Sequence, residues 1–392
     1  MKVANRLESL PAYVFARMGD RLRELASQGV DVIRLDIGSP DLPPPDAITD
    51  ALYHSAQKAS NHGYGGYYGI PELRRAMAGY YEQRFNVALS PEKEVVPLIG
   101  SKEGIANVAL AFVDPGDTVL VPDPGYPTYS MGTLLAGGTP YCFPLSAERG
   151  FLPDLEAIPS GVADSAKMLW LNYPNNPTGA IAPLEVFEDV VAFARRHDLL
   201  VCHDNPYCDV TFDGYRPASL LEVPGAKDVA LEFNSLSKTY NMAGWRVGMA
   251  VGNPVAVAAL ARVKTNVDSG MFRAIQDASV LALTGDQGWL TERNEIYRQR
   301  RDMILAALPE LGMGAETPQA SLYIWARVPK GTTSAGLATR VLEEAAVSIT
   351  PGTAFGDQGE GYVRISLGMG TERIREALER LKKLDLRAPE NG

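Results

Sequence analysis

Short apolar blocks alternate with amphipathic stretches along most of the chain. The blocks Val95–Ile99, Asp117–Val121, Met168–Leu171, Leu199–Cys202, Val229–Phe233 and Val247–Gly252 are four to six residues long and carry few charges. Such runs fit strands buried on both faces. From Leu184 to His197 the apolar residues Val186, Phe187, Val190, Val191 and Ala194 fall on one helical face. The strand–helix alternation from Val95 to Val251 predicts a mostly parallel sheet covered by helices on both faces, an α/β fold. Near the start, Leu22, Leu25 and Ala26 form a helical stripe that Gly29 stops, and Val32–Ile37 reads as a short strand. Helical patterns fill about 254–308. A strand is expected over 322–328, a helix over 335–346, a strand over 362–367, and a helix after it.

Composition narrows the class. The 392 residues are 46% hydrophobic, enough for two packed domains. The net charge is −10 with an isoelectric point near 5.1. No basic block stands out, which argues against a nucleic-acid surface. Anionic substrates must then be held by local cations. Cys142, Cys202 and Cys208 suggest no disulfide framework. Cys202 and Cys208 beside His203 fit no zinc spacing, so no metal is expected. There is no basic-then-apolar leader and no apolar run of spanning length, so a cytoplasmic protein without a membrane segment is expected.

The candidate chemistry sits where the apolar blocks end. Ser235-Leu236-Ser237-Lys238 opens a loop between two predicted strands, and Arg246 closes it. A lysine amine beside hydroxyls and a fixed cation can form a Schiff base with an aldehyde and hold its phosphate. Gly100-Ser101-Lys102-Glu103-Gly104 lies between a strand and a helix, so N–H groups and the positive helix end converge there. A plain N-cap by Ser101 explains the same residues without a ligand. Gly38 begins a Pro-rich turn and lets backbone approach a ligand. Tyr126 follows Pro122-Asp123-Pro124-Gly125; it can stack on a flat heterocycle or simply pack in its loop. Asn172-Tyr173-Pro174-Asn175-Asn176-Pro177-Thr178-Gly179 is a rigid turn that can aim an amide. Asp204 ends a buried strand, where a carboxylate needs a partner such as a protonated ring nitrogen. Arg364 lies mid-strand among apolar residues and needs an anion, either a substrate carboxylate or a structural acid.

Together these motifs resemble the class I and II aminotransferases of fold type I, which use pyridoxal 5'-phosphate, from about Gly38 to Leu367. The resemblance implies that Lys238 is the Schiff-base residue and moves the α-proton. It implies that Ser101, Lys102, Ser235, Ser237 and Arg246 hold the cofactor phosphate region and that Tyr126 covers the ring. Asp204 would keep the ring nitrogen protonated, and Asn176 and Tyr207 would bond the phenolic oxygen. Arg364 would clamp the substrate carboxylate, with Gly38 and Asn176 nearby. In the family a tyrosine five residues before the loop's glycine reaches the neighbouring subunit's cofactor phosphate; that position is Tyr64, which implies a homodimer, although an aromatic loop that only packs a dimer face explains the same residues. The implied organisation is an arm and part of a small domain over 1–45, a large cofactor domain over 46–285, and a small C-terminal domain over 286–392.

A closer resemblance is to the LL-diaminopimelate aminotransferases and near relatives. It rests on Gly100-Ser101-Lys102-Glu103-Gly104-Ile105, Asn172–Ala180 and Val263-Lys264-Thr265-Asn266-Val267-Asp268-Ser269-Gly270. It implies amino transfer between LL-diaminopimelate and 2-oxoglutarate. A general alanine, aspartate or aromatic aminotransferase, or a lyase on the same scaffold, remains open. A distant second amino-acid head needs polar partners; Lys102, Asn205, Lys264 and Tyr323 are candidates.

Overall fold

The structure is a computed structural model describing residues 1–8, 10 and 14–386. Seven strands form the main sheet: β1 (Val95–Leu98), β2 (Thr118–Asp123), β3 (Thr139–Pro144), β4 (Ala166–Leu171), β5 (Leu200–Asp204), β6 (Ala230–Ser235) and β7 (Gly248–Gly252). Their spatial order is β1-β7-β6-β5-β4-β2-β3. Neighbours from β6 through β3 are parallel, whereas β7 runs antiparallel to both β1 and β6. The central strands β4 and β6 are buried almost throughout, which explains their unbroken apolar runs. β3 gave no such signal. It is an edge strand, largely exposed, with prolines at 140 and 144.

A second, antiparallel sheet is built from β8 (Gly314–Ala315), β9 (Tyr323–Arg327), β10 (Thr350–Pro351) and β11 (Tyr362–Ser366), in the order β10-β11-β9-β8. Its core joins N-terminal residues Ile33 and Leu35 to Tyr297, Ile304, Ile324, Val363 and Leu378. Tyr207 packs in this second core although it follows β5 of the first sheet. The chain therefore crosses between the two cores immediately after Asp204.

The expected strand over Val32–Ile37 shrinks to Ile33–Arg34, paired in parallel with Val347–Ser348. The helical region splits into Pro254–Val267, Arg273–Thr284 and Trp289–Ala307. Gly270, with φ 83°, marks the first break. The helix Leu184–His197 has the predicted bounds. Among the described residues no helix is long and apolar enough to cross a membrane.

Candidate active site

Because β7 alone runs against its neighbours, β1, β2, β4, β5 and β6 all finish on one edge of the sheet. The motif loops leave from that edge, where open α/β sheets place ligands. A cavity of about 400 Å³ opens there. Gly38, Ser101, Lys102, Tyr126, Asn176, Asp204, Tyr207, Ser235, Ser237, Lys238, Arg246 and Arg364 all line it. Tyr64 does not; it is 90% exposed on the protein surface. Arg34, Asp36, Asn172 and Tyr323 complete much of the remaining wall.

One end of the cavity is built for an anion. Lys238 lies in the single helical turn Leu236–Thr239. Ser235 caps that turn: its Oγ accepts from the Ser237 N–H (3.2 Å) and donates to the Val247 carbonyl (3.3 Å). Arg246 has left-handed backbone, φ 58°, and its Nη1 donates to the Ala243 carbonyl (2.8 Å). A Cβ at Gly100 would collide with the Arg246 guanidinium, so glycine there leaves room for the cation. Ser101 is not the expected N-cap. Gly100 occupies that position with φ 76°, and no side chain caps the start of the helix Ser101–Phe112. The positive helix end thus faces the same space as Ser235, Ser237 and Arg246.

Lys238 Nζ donates to the Gly38 carbonyl. Burial, then the cations Arg364 and Arg246, pull this amine down to about 8, against the opposing charge of Asp204. A neutral, proton-accepting amine is therefore accessible near neutral pH. The turn is fixed from behind. Arg293, buried in the helix Trp289–Ala307, donates through Nη1 to the Lys238 carbonyl (2.8 Å) and to the Thr239 carbonyl, and through Nη2 to the Asp209 carbonyl (2.6 Å). It satisfies carbonyls that the end of a helical turn leaves open.

At the other end stands Asp204, 4% exposed. Its Oδ2 accepts from the Tyr129 hydroxyl (2.8 Å), and its main-chain carbonyl accepts from Asn172 Nδ2 (2.6 Å). The Tyr129 ring stacks on Trp170, centroids 4.7 Å apart. Asp204 Oδ1 is buried and has no hydrogen-bond partner. Burial pushes this carboxyl up to about 6, although the Tyr129 hydrogen bond and the nearby Lys238 amine oppose the rise. A cationic N–H donor placed against Oδ1 would remove the cost of that orphaned oxygen.

Arg364 spans the third corner. Its Nη1 donates to Asn176 Oδ1 (2.9 Å) and its Nη2 to the Asp36 carbonyl (2.8 Å). Its guanidinium lies 4.2 Å from the Tyr323 ring centroid and 4.8 Å from that of Phe355. Asn172 ties two corners together, since its Oδ1 also accepts from the Asn176 N–H (2.7 Å).

Two candidate readers of a distal head are not in the cavity. Asn205 is fully buried and donates to Glu232 (3.3 Å), which also lies 2.8 Å from His203 Nδ1. Lys264 is buried and bound to both carboxylate oxygens of Asp268, each at 2.6 Å. Sequence reasoning missed Tyr129, although it stands three residues beyond Tyr126. It also missed Arg293, which sits unmarked in a helix rich in arginine and glutamate.

Comparison with known proteins follows the same lines. The family Aminotransferase class I and II matches residues 30–381. An LL-diaminopimelate aminotransferase from Moorella thermoacetica is 53% identical over 384 residues, covering 98% of each chain. Another from Desulforudis audaxviator is 54% identical over 379 residues, covering 97% of each. Among solved structures, substrate-bound BacF from Bacillus subtilis superposes with a TM-score of 0.94 at 38% identity, covering 100% of both chains. A probable N-succinyldiaminopimelate aminotransferase from Thermus thermophilus gives 0.88 at 37% identity, covering 94% of this chain and 99% of that one.

Proposed function

The chain belongs to aminotransferase class I and II, and from that premise we propose that its cavity holds pyridoxal phosphate and serves amino transfer from LL-diaminopimelate to 2-oxoglutarate. The observation that carries the cofactor reading is the buried, unpartnered Oδ1 of Asp204 at the cavity wall. A protonated pyridine nitrogen is the donor it lacks. When bound, the cofactor supplies an aldehyde that takes up the amino group and a ring that draws electrons from the substrate's α-carbon.

The chain's own residues supply the rest. Arg246, Ser235, Ser237, Lys102 and the helix start at Ser101 hold the phosphate. Tyr126 would cover the ring, and Asn176 and Tyr207 would bond its phenolic oxygen, all three lining the cavity. Asp204 holds the proton at the ring nitrogen. Lys238 would anchor the cofactor, and its amine, accessible in the neutral form, could hold or move the proton at the substrate's α-carbon. Arg364 takes the α-carboxylate through its planar fork beside Gly38. The division at 45 and 285, a homodimer and a cytoplasmic location belong to the same proposal.

The substrate assignment rests on the relatives' names and the subgroup motifs. With Asn205 and Lys264 absent from the cavity, Lys102 and Tyr323 are the remaining candidates of the original four for polar contact there. The test is the relative kcat/KM for LL-diaminopimelate, alanine, aspartate and phenylalanine, each with 2-oxoglutarate. LL-diaminopimelate should lead by about tenfold, equivalent to about 1.4 kcal/mol of transition-state preference. A different leading donor would retain the aminotransferase but reject this substrate.

The exposure of Tyr64, together with half-exposed Tyr67 and Tyr68, supports a partner subunit covering that loop. Sedimentation with simultaneous assay should find activity only in the dimer. Tyr64→Phe should weaken cofactor affinity by about tenfold, the loss of one hydrogen bond to a charged group. A fully active monomer would end this part of the proposal.

A further inference from the structure

Tyr323 lines the cavity where Gly38, Tyr207 and Arg364 meet. It is 1% exposed, in β9 of the second sheet. Its hydroxyl lies 2.9 Å from the Tyr207 hydroxyl and 3.4 Å from the Gly38 carbonyl. Its ring meets the Tyr207 ring edge-on, centroids 5.5 Å apart, and carries the Arg364 guanidinium at 4.2 Å. We propose that Tyr323 is a positioning residue whose hydroxyl aims the Tyr207 proton into the cavity while its ring sets the height of Arg364. The inference rests on the aminotransferase reading above, in which Tyr207 serves the cofactor and Arg364 the substrate.

Each phenol has a single proton to donate. Burial holds the Tyr207 phenol well above its ordinary range, so it remains protonated. If Tyr207 gives its proton to Tyr323, none points at the cofactor's phenolic oxygen. If Tyr323 gives its proton to Tyr207, the Tyr207 proton is released toward the cavity and is a stronger donor for being polarised. The alternative acceptor for Tyr323, the Gly38 carbonyl, is half an ångström farther away at 3.4 Å, outside the range of strong hydrogen bonds. A guanidinium stacked on an aromatic face keeps its plane while its edge remains available for a carboxylate.

Gly38 is matched to this tyrosine. A Cβ at position 38 would lie 2.5 Å from the Tyr323 hydroxyl but 3.4 Å from the ring carbon that bears it. Alanine therefore clashes with the oxygen and makes ordinary contact with the ring. That difference gives a geometric test. Gly38→Ala should displace the hydroxyl, and Tyr323→Phe should remove the clash when added to it.

The experiment uses the holoenzyme loaded with pyridoxal phosphate. Its first readout is the pH midpoint of the visible band given by the lysine-bound cofactor. A donor to the phenolic oxygen favours the deprotonated form and holds that midpoint low. Lys238 is otherwise faced by Arg246, Arg364 and Asp204, none of which these substitutions change. Tyr323→Phe should raise the midpoint by about half a pH unit and leave KM for the donor within about twofold. Tyr323→Leu should raise KM by a further tenfold or so through loss of the ring under Arg364. Gly38→Ala should be worse than Tyr323→Phe in kcat/KM, and the double variant should recover to the Tyr323→Phe level. An unchanged midpoint in Tyr323→Phe, or a double variant no better than Gly38→Ala, overturns the proposal while leaving the aminotransferase intact. Failure of the wild-type protein to give a Lys238-dependent visible band overturns both.

Discussion

Lys238→Ala should lower turnover at least about a thousandfold while the protein remains folded, because in the function proposed above Lys238 is both the cofactor anchor and the proton carrier at the α-carbon. Folding should survive because the side chain makes one hydrogen bond, to the Gly38 carbonyl, while its main chain is held by Arg293. The amine is also unfavourably placed for stability. Burial and two cations lower it to about 8, so the folded protein binds fewer protons than the unfolded chain between about pH 8 and pH 10.5. Removing it should cost little stability at neutral pH or raise it. The variant should bind pyridoxal phosphate without the visible band of the lysine-bound form. Stopped turnover with an unchanged far-ultraviolet circular dichroism spectrum is the expected combination. Normal activity would remove Lys238 from the site.

Asp204→Asn should cost about a hundredfold or more in turnover, since an amide cannot hold a positive charge at the ring nitrogen. Cofactor affinity should fall less, because the residues proposed to hold the phosphate are untouched. The same substitution has a signature in the cofactor-free protein. The Asp204 carboxyl is raised by burial from 3.8 to about 6. Between those values the folded state binds more protons than the unfolded state, so the contribution is present at low pH and is lost as pH rises through 6. Asparagine has no such dependence. Relative to Asp204→Asn, the cofactor-free wild type should therefore lose up to about 3 kcal/mol of stability from pH 4 to above pH 6. Denaturant unfolding of both proteins at pH 4, 5, 6 and 7 measures it. Parallel pH profiles would mean that Asp204 is not strained in the way its orphaned oxygen indicates.

The sequence made the sheet strands legible where burial on both faces left unbroken apolar runs, as in Met168–Leu171. It concealed β3, whose exposed edge position asks for no such run. It overstated Val32–Ile37, where apolar residues serve a loop packed on the second core rather than a ladder. Motif residues such as Asp204 and Ser235 announced themselves because polar groups at the ends of apolar strands are costly without a purpose. Tyr323 could be named as polar but not placed, since its neighbours Gly38, Tyr207 and Arg364 come from three distant parts of the chain. Lys264 and Asn205 were misleading because carboxylate partners absorb them, Asp268 four residues on for Lys264 and Glu232 from the neighbouring strand for Asn205. The ligand-free alternative, a plain cap by Ser101, does not hold, because Gly100 takes the positive φ of the turn and occupies the cap position one residue back.

The Arg293 clamp also bears on how the protein is made. As the chain leaves the ribosome, the lysine turn emerges some fifty residues before the arginine that satisfies its carbonyls. Until then the turn has the sheet on one side and unmet acceptors on the other. A nascent chain ending between residues 252 and 293 contains β1 through β7, but the turn that carries Lys238 still lacks the arginine that satisfies its carbonyls. The support of the lysine turn is thus completed only when the helix Trp289–Ala307 docks behind it, late in the chain.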